Sequence, residues 1–196
     1  MSSTSCERCA RSPGLTTRRA TFSRAASAVV ALLGGLVLAG WILDIPALKS
    51  VLPGAVTMKA NTAVALIGLA VALWLLGPEP RDHRTYRIAR GCGLGVAAIG
   101  LITLCEYLFG WDAGLDQMLF REPPGAPGTF SPGRMAPTTA LNFLLLGSAV
   151  GAIDAGASLG RRLAEGLTLT AALIALLALV GYGYNAPGLY GIAEYT

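Results

Sequence analysis

The sequence alternates between long apolar stretches and short segments that are rich in turn-forming and charged residues. Five apolar stretches lie at residues 26–43, 60–76, 88–109, 137–153 and 166–182. A helix needs about 20 mostly apolar residues to cross the hydrocarbon core of a bilayer. The pattern therefore predicts an all-α fold, a polytopic transmembrane bundle of about five spans. A basic tail at residues 1–25 precedes the predicted transmembrane domain at 26–196.

The composition agrees with a membrane protein. Of the 196 residues, 54% are hydrophobic and only 13% are charged, whereas soluble domains carry about 25% charged residues. The net charge of +4 does not indicate nucleic-acid binding, because the arginines lie at the ends of apolar stretches. The spacings Gly91-x-x-x-Gly95 and Gly147-x-x-x-Gly151 favour close helix packing. The expected partner is the lipid bilayer, and no nucleic acid is expected.

The basic residues are divided unequally between the two ends of the predicted bundle. Eleven of the fifteen lie in the N-terminal tail and in the segments after the second and fourth stretches. The other end has Lys49, Lys59, Arg121 and Arg134. Because short cytoplasmic loops carry the excess of lysine and arginine, the N-terminus is predicted to be cytoplasmic. Arg18-Arg19 is similar to a twin-arginine export signal, but the stretch after it is long and has no clear cleavage site.

Two of the stretches begin with the same short motif, M-x-x-[N/T]-T-A, 77 residues apart. The shared positions are Met58, Asn61 and Thr62 in the first copy, and Met135, Thr138 and Thr139 in the second. Asn61 or Thr138 could cap a helix start, and Pro137 suits a first helical turn. Capping alone would account for these residue types. The alternative is an internal helix-hairpin repeat.

Aromatic residues mark the ends of the first, third and fifth stretches, at Trp41, Trp111 and Tyr184. In the first two cases a returning stretch that opens with the shared motif comes next. The third case has no returning stretch before Thr196. The repeat therefore predicts a chain that is truncated before a sixth span.

Three segments carry a resemblance to a known class of proteins. They are LKSVLPGAVTMKANTAVALIGLAVALWLL, EYLFGWDAGLDQMLF and PGRMAPTTALNFLLLGSAVGAI. Together they resemble the N-terminal multi-pass region of bacterial sensor proteins, in which cytoplasmic PAS, histidine kinase or diguanylate cyclase domains follow. The resemblance covers roughly residues 39–196. It implies a signal-input domain in a bacterial inner membrane, an output domain in cis or in trans, and a homodimer.

The chain departs from that class because it has no output domain. It contains no phosphoacceptor segment, no nucleotide-binding glycine motif and no GG[D/E]EF-type loop. The resemblance therefore favours a sensor region, and the chain itself is not expected to be an enzyme.

Glu106 is the most informative single residue, since carboxylates within membrane spans are costly and often functional. Trp111 lies five residues further on, which places Glu106 within about 7–8 Å of the interface. An interfacial carboxylate is therefore the alternative to a polar group that faces the bundle.

Aromatic residues gather at the predicted outer ends of the spans. They are Trp41, Tyr107, Trp111 and Tyr184. Such residues are typical of an aromatic belt at headgroup depth. They could also form the wall of a ligand pocket, with Glu106 and Asp112 as its polar groups.

No cofactor, metal site or catalytic group is predicted. His83 is the only histidine, and Cys6-x-x-Cys9 has no second pair of ligands to complete a zinc site. A sensory domain is the preferred function. The alternative is a small transporter or channel component, because repeats and membrane-embedded polar groups are typical of transporters.

Overall fold

A computed structural model describes residues 13–50, 57–77, 82–114, 116–122, 132–153 and 158–184. Within these ranges the chain is helical, and no strand is present. The helices are α1 (Pro13–Ile42), α2 (Pro46–Lys49), α3 (Ala60–Leu75), α4 (His83–Phe109), α5 (Pro137–Ala152) and α6 (Ser158–Gly183). All five predicted apolar stretches are therefore helical in the structure.

Three of the helices are long and apolar enough to cross a membrane. They are the Ala20–Ile42 part of α1, with a mean hydropathy of 2.1, then α4 with 1.8 and α6 with 2.2. The helices α3 and α5 have 16 residues each, which makes them about 24 Å long at 1.5 Å per residue. They are apolar but shorter than the hydrocarbon core of about 30 Å.

The helices pack mainly on their neighbours in the sequence: α1 on α3, α3 on α4, α4 on α5, and α5 on α6. The guanidinium of Arg24, near the start of the apolar Ala20–Ile42 part of α1, lies 6.0 Å from the ring centroid of Trp74, near the end of α3. These two helices are therefore antiparallel.

The contact between α4 and α5 is made by small residues. A Cβ atom added at Gly147 would lie 2.5 Å from both the amide nitrogen of Ala97 and the carbonyl oxygen of Gly93. The two backbones therefore touch, as they do where glycine replaces a larger side chain. Gly91 and Gly95 face open space, so the expectation that this spacing forms a contact was wrong.

The contact between α1 and α3 is built in the same way. A Cβ atom added at Gly34 would lie 2.8 Å from Cγ1 of Ile67 and 2.9 Å from the carbonyl oxygen of Ala63. The bundle thus contains two closely packed helix pairs, α1–α3 and α4–α5.

The predicted helix starts are in place, but the predicted caps are not. The N-cap residues of α3 and α5 are Lys59 and Ala136, and neither makes a side-chain capping hydrogen bond. Pro137 opens α5. Asn61 lies within the first turn of α3, where its Oδ1 accepts the N–H of Thr62 at 2.8 Å. Helix capping is therefore not what the shared motif provides.

The close packing of α4 and α5 predicts different costs for two matched substitutions. Gly147→Ala forces a methyl group against the backbone of α4 and should destabilise the fold by about 1–3 kcal/mol, the usual cost of overpacking. Gly95→Ala, on the open face of α4, should leave the stability unchanged. Thermal unfolding in detergent compares the two, and equal melting temperatures would contradict the packing.

Candidate functional site

The buried ion pairs of the described chain gather at one end of the bundle. We call it the polar end; there α1 and α4 finish, and α3 and α5 begin. Residues 110–114, 116–122 and 132–136 lie between α4 and α5 at this end. Six charged residues form what we call the ionic network. They are Lys59, Glu106, Asp112, Asp116, Glu122 and Arg134.

The first part of the network is a buried ion pair between Lys59 and Glu122. The Nζ atom of Lys59 lies 2.6 Å and 2.7 Å from the two carboxylate oxygens. The side chains are 6% and 3% exposed. Glu122 also accepts the hydroxyl of Thr57 at 3.1 Å and the N–H of Gly133 at 2.6 Å. The carboxylate is thus bonded to the start of α3 and to the segment before α5.

These donors decide the ionisation of Glu122. Burial alone raises the pKa of a carboxyl group, but here the hydrogen bonds from Lys59 and Gly133 outweigh burial. They hold the pKa of Glu122 below its ordinary value of 4.5. The Glu122 carboxylate is therefore ionised at neutral pH.

Gly133 is required at its position by the backbone. Its φ of +78° lies in the left-handed region, and an added Cβ would collide with the carbonyl oxygen of Asp116. Glycine adopts this conformation without steric cost. The tight turn that results aims the N–H of Gly133 at Glu122.

The second part of the network is centred on the Arg134 guanidinium. Its Nε donates to Oδ2 of Asp116 at 2.6 Å and lies 3.6 Å from Oε2 of Glu106. Its Nη2 lies 3.8 Å from Oδ1 of Asp112. Burial lowers the pKa of Arg134, but the contact with Asp116 raises it more, so the pKa stays above its ordinary value. Arg134 is a permanent cation among three carboxylates.

Glu106 is the most enclosed member of the network. Its side chain is 0% exposed. Its Oε1 accepts the N–H of Ala113 at 2.9 Å, whereas its Oε2 has no hydrogen-bond partner. The Glu106 side chain is therefore enclosed by the protein, and the choice between a functional group and an interfacial carboxylate stays a hypothesis.

Two contacts join the segment between α4 and α5 to α3. One is the Lys59–Glu122 pair. The other runs from Nδ2 of Asn61, in the first turn of α3, to Oδ1 of Asp116 at 3.2 Å. Because Asp116 also accepts from Arg134, it connects α3 with the segment just before α5.

Trp41 closes the polar end on the α1–α3 side. Its indole N–H donates to the carbonyl oxygen of Met58 at 2.9 Å. The Nζ of Lys49 lies 4.6 Å from the ring centroid, and the ring of Phe120 packs beside it at 5.7 Å. Trp41 therefore fixes the chain just before α3.

Tyr107 makes a similar set of contacts on the α4–α5 side. Its hydroxyl donates to the carbonyl oxygen of Met135 at 3.0 Å. The guanidinium of Arg134 lies 5.3 Å from its ring centroid, within reach of a cation–π interaction. In both helix pairs an aromatic residue thus binds the methionine carbonyl before the returning helix.

A cavity of about 310 Å³ opens at the polar end beside Arg134. Its lining comes from the segments on either side of residues 123–131: Gly110, Trp111, Asp112, Gly114, Asp116, Gln117, Pro132 and Arg134. Of the predicted pocket residues, Trp111 and Asp112 line this cavity. Glu106 and Tyr107 contact Arg134.

The other predicted site residues lie apart from the cavity. Trp41 belongs to the α1–α3 pair. Tyr184, at the end of α6, is 82% exposed, and among the described residues no hydrogen bond, ion pair or ring contact joins it to the network. Thr138 and Thr139 lie half-buried in the first turn of α5.

Sequence reasoning missed four members of the site, namely Lys59, Asp116, Glu122 and Arg134. The sequence does contain a signal for them. Residues 43–59 and 110–136 hold four basic and four acidic side chains, whereas the segments at the other end have an excess of arginine. Equal numbers of acidic and basic residues in short segments between apolar stretches are what ion pairing within those segments would require.

The network also contains donors of the kind that hard cations prefer. One carboxylate oxygen from each of Glu106, Asp112 and Asp116 lies within 4.8 Å of the others. Oxygen ligands of this type bind Ca²⁺ and Mg²⁺. The sequence had predicted no metal site here.

Comparisons with protein-family models, with curated proteins and with solved structures find no match to this chain. The resemblance to bacterial sensor proteins therefore stays a hypothesis, and the function is argued from the residues themselves.

The buried ion pair predicts a large loss of stability when Lys59 is replaced by an uncharged residue. Lys59→Met leaves the Glu122 carboxylate buried without a counterion, which should cost about 3–5 kcal/mol of stability. The double variant Lys59→Met/Glu122→Leu should recover much of that loss, because an apolar pair of similar size leaves no buried charge.

The matched control is Lys49→Met. Lys49 pairs with Asp44 at 2.5 Å, but the Asp44 carboxylate is 91% exposed, and exposed pairs contribute little. Thermal unfolding in detergent measures all three variants. If Lys59→Met and Lys49→Met lost stability equally, the importance assigned to burial would be wrong.

The depressed pKa of Glu122 predicts an acid-sensitive fold. A carboxyl group whose folded pKa lies below its ordinary value of 4.5 stabilises the fold above that pH. The stabilisation is lost as the pH falls through the folded pKa. The melting temperature should therefore fall more steeply below pH 4.5 in the unmodified chain than in Glu122→Gln. Parallel curves would contradict the assignment.

Proposed function

We propose that this chain is the membrane-embedded signal-input region of a bacterial signal-transduction protein. It acts as a homodimer in the inner membrane, with its N-terminus in the cytoplasm and an output domain in cis or in trans. The observation that carries the proposal is the ionic network. It joins the segment between α4 and α5 to the starts of α3 and α5 through buried charged groups.

Five crossings of the membrane are part of this proposal. The helices α3 and α5 are antiparallel to α1 and α4, since their starts share the polar end with the ends of α1 and α4. Their shortness is compatible with spanning, because local thinning of the bilayer and long flanking side chains accommodate a short apolar helix. Arg24 beside Trp74 is such a flanking contact, at the end that holds most of the basic residues.

An internal repeat is supported by matching contacts in the two helix pairs. Trp41 donates to the Met58 carbonyl and Tyr107 donates to the Met135 carbonyl. Each ring also carries a basic side chain, Lys49 or Arg134, on its face. The shared motif would then mark the point where a returning helix is fastened to its partner.

The way in which the two pairs are joined supports a signal-input role. Within each pair the backbones touch at glycine, so α1–α3 and α4–α5 are stiff units. Between the pairs, Lys59 and Asn61 on one side meet Glu122 and Asp116 on the other. A stimulus that changes these polar contacts shifts the population between two arrangements of the pairs.

A transporter or channel component is the second candidate. The buried and partly unbonded carboxylate of Glu106 favours it, since membrane-embedded carboxylates mark ion pathways. Transporter sites, however, lie near the bilayer midplane, whereas Glu106 lies one turn before the end of α4. The position at a helix end agrees better with an input site.

The proposal predicts an output that depends on the network. The complete reading frame that contains this chain is expressed in bacterial membranes, and kinase or cyclase activity is measured in vesicles. Glu122→Gln should change that activity at least about fivefold, the lower end of typical coupling between sites. Asp44→Asn, which alters an exposed carboxylate at the same end, should not.

Two results would contradict the signal-input role. One is a reading frame with no output domain and no signalling partner encoded beside it. The other is equal output from Glu122→Gln and Asp44→Asn. Solute or ion flux in proteoliposomes that depends on Glu106 would support the transporter instead.

A further inference from the structure

Among the residues that the structure describes, three carboxylates of the ionic network share a single cation. Glu106, Asp112 and Asp116 each place one oxygen within 4.8 Å of the others, and Arg134 is the basic group that contacts all three. Lys59 is bonded to Glu122. With all three carboxylates ionised, Arg134 leaves two negative charges unbalanced. That is the charge of one divalent cation.

A second observation points to a ligand at the same place. The Oε2 atom of Glu106 is buried and accepts no hydrogen bond. It is directed towards the cluster, because it lies 3.6 Å from the Arg134 Nε that binds Asp116 at 2.6 Å. A buried carboxylate oxygen needs a donor or a cation. Arg134 is too distant to donate to it.

An ion can reach the cluster from the aqueous side. Asp112 and Asp116 line the cavity of about 310 Å³, and the Asp112 carboxylate is 74% exposed. Asp112 can therefore meet a hydrated ion first, while Glu106 forms the buried floor. Water in the cavity would complete the coordination, as it commonly does for hard cations.

The spacing of the oxygens distinguishes between the common divalent ions. Ca²⁺ binds oxygen at about 2.3–2.6 Å, so two ligands on opposite sides are up to about 5.2 Å apart. For Mg²⁺, at about 2.0–2.1 Å, that limit is about 4.2 Å. A spread of up to 4.8 Å therefore suits Ca²⁺ without movement of the chain.

We propose that Glu106, Asp112 and Asp116 bind a divalent cation of the size of Ca²⁺, and that the cation displaces Arg134 from Asp116. Both positive charges compete for the same carboxylates. Arg134 lies three residues before Pro137, where α5 begins, and its guanidinium already lies on the ring of Tyr107. Its release from Asp116 would loosen the contact between α3 and the start of α5. Only the loosening of this contact rests on the proposed function.

Terbium luminescence tests the site directly, because Trp111 lines the cavity and can sensitise a bound lanthanide. The full chain is studied in nanodiscs of zwitterionic lipid, and Ca²⁺ or Mg²⁺ is used to displace Tb³⁺. Glu106→Gln and Asp112→Asn should each weaken binding at least about tenfold. Asp44→Asn should bind as the unmodified chain does. Arg134→Gln should bind more tightly, because it removes the competing cation.

The outcomes separate the parts of the proposal. Equal terbium binding in Asp112→Asn and Asp44→Asn would overturn the proposed site. This comparison remains valid even if Glu106→Gln fails to fold, because both aspartates are exposed. Weaker binding in Arg134→Gln would overturn the competition. Displacement by Mg²⁺ at lower concentration than by Ca²⁺ would overturn the size argument.

Failure of this inference is distinguishable from failure of the signal-input role. Binding is measured on the chain without any output domain, so an absent site leaves the vesicle assay unaffected. If the cation binds but never alters the output, the site is retained and its role in signalling is rejected.

Discussion

The burial of charge at the polar end constrains the rest of the fold. Lys59 and Glu122 are almost fully enclosed, and an enclosed charge that lost its partner would cost several kcal/mol. Lys59 is the residue from which α3 begins, and Glu122 belongs to the segment between α4 and α5. The start of one helix and the path of a distant segment are therefore fixed together. Gly133, with its left-handed backbone and its N–H on Glu122, brings the start of α5 into the same arrangement.

This constraint differs in kind from the contacts within the helix pairs. In α1–α3 and α4–α5 the backbones meet at Gly34 and Gly147, where an added methyl group would not fit. Such contacts are set by shape, because the backbones approach too closely for a larger side chain to lie between them. The polar contacts between the pairs are set by charge and hydrogen bonding, and a carboxylate can exchange one donor for another. The described part of the molecule thus combines two closely packed helix pairs, which meet along α3 and α4, with a charged joint between them at the polar end.

The sequence predicted the helices well where hydropathy defines their ends, and less well where it does not. The helices α3 and α5 begin at the expected residues because a polar motif precedes each apolar run. By contrast α4 begins at His83 and α6 at Ser158, well before the apolar stretches, since arginine-rich first turns form helix without any hydropathy signal. Glu106 was found because a carboxylate in an apolar run is conspicuous. The pairing of Lys59 with a residue 63 positions away depends on the tertiary fold, and local patterns do not contain that information.

The charged joint is not explained by stability alone. A buried ion pair is often no more stabilising than an apolar pair of similar volume, because desolvation offsets the attraction between the charges. An apolar joint, however, would be insensitive to ions and to pH. The three carboxylates around Arg134 exceed its charge by two when ionised, so their arrangement depends on which cations are present. Glu106, bonded to Ala113 through one oxygen and unbonded at the other, is the member whose environment such a cation would change most. A joint of this composition suits a protein that must convert conditions at one membrane face into a change of helix packing.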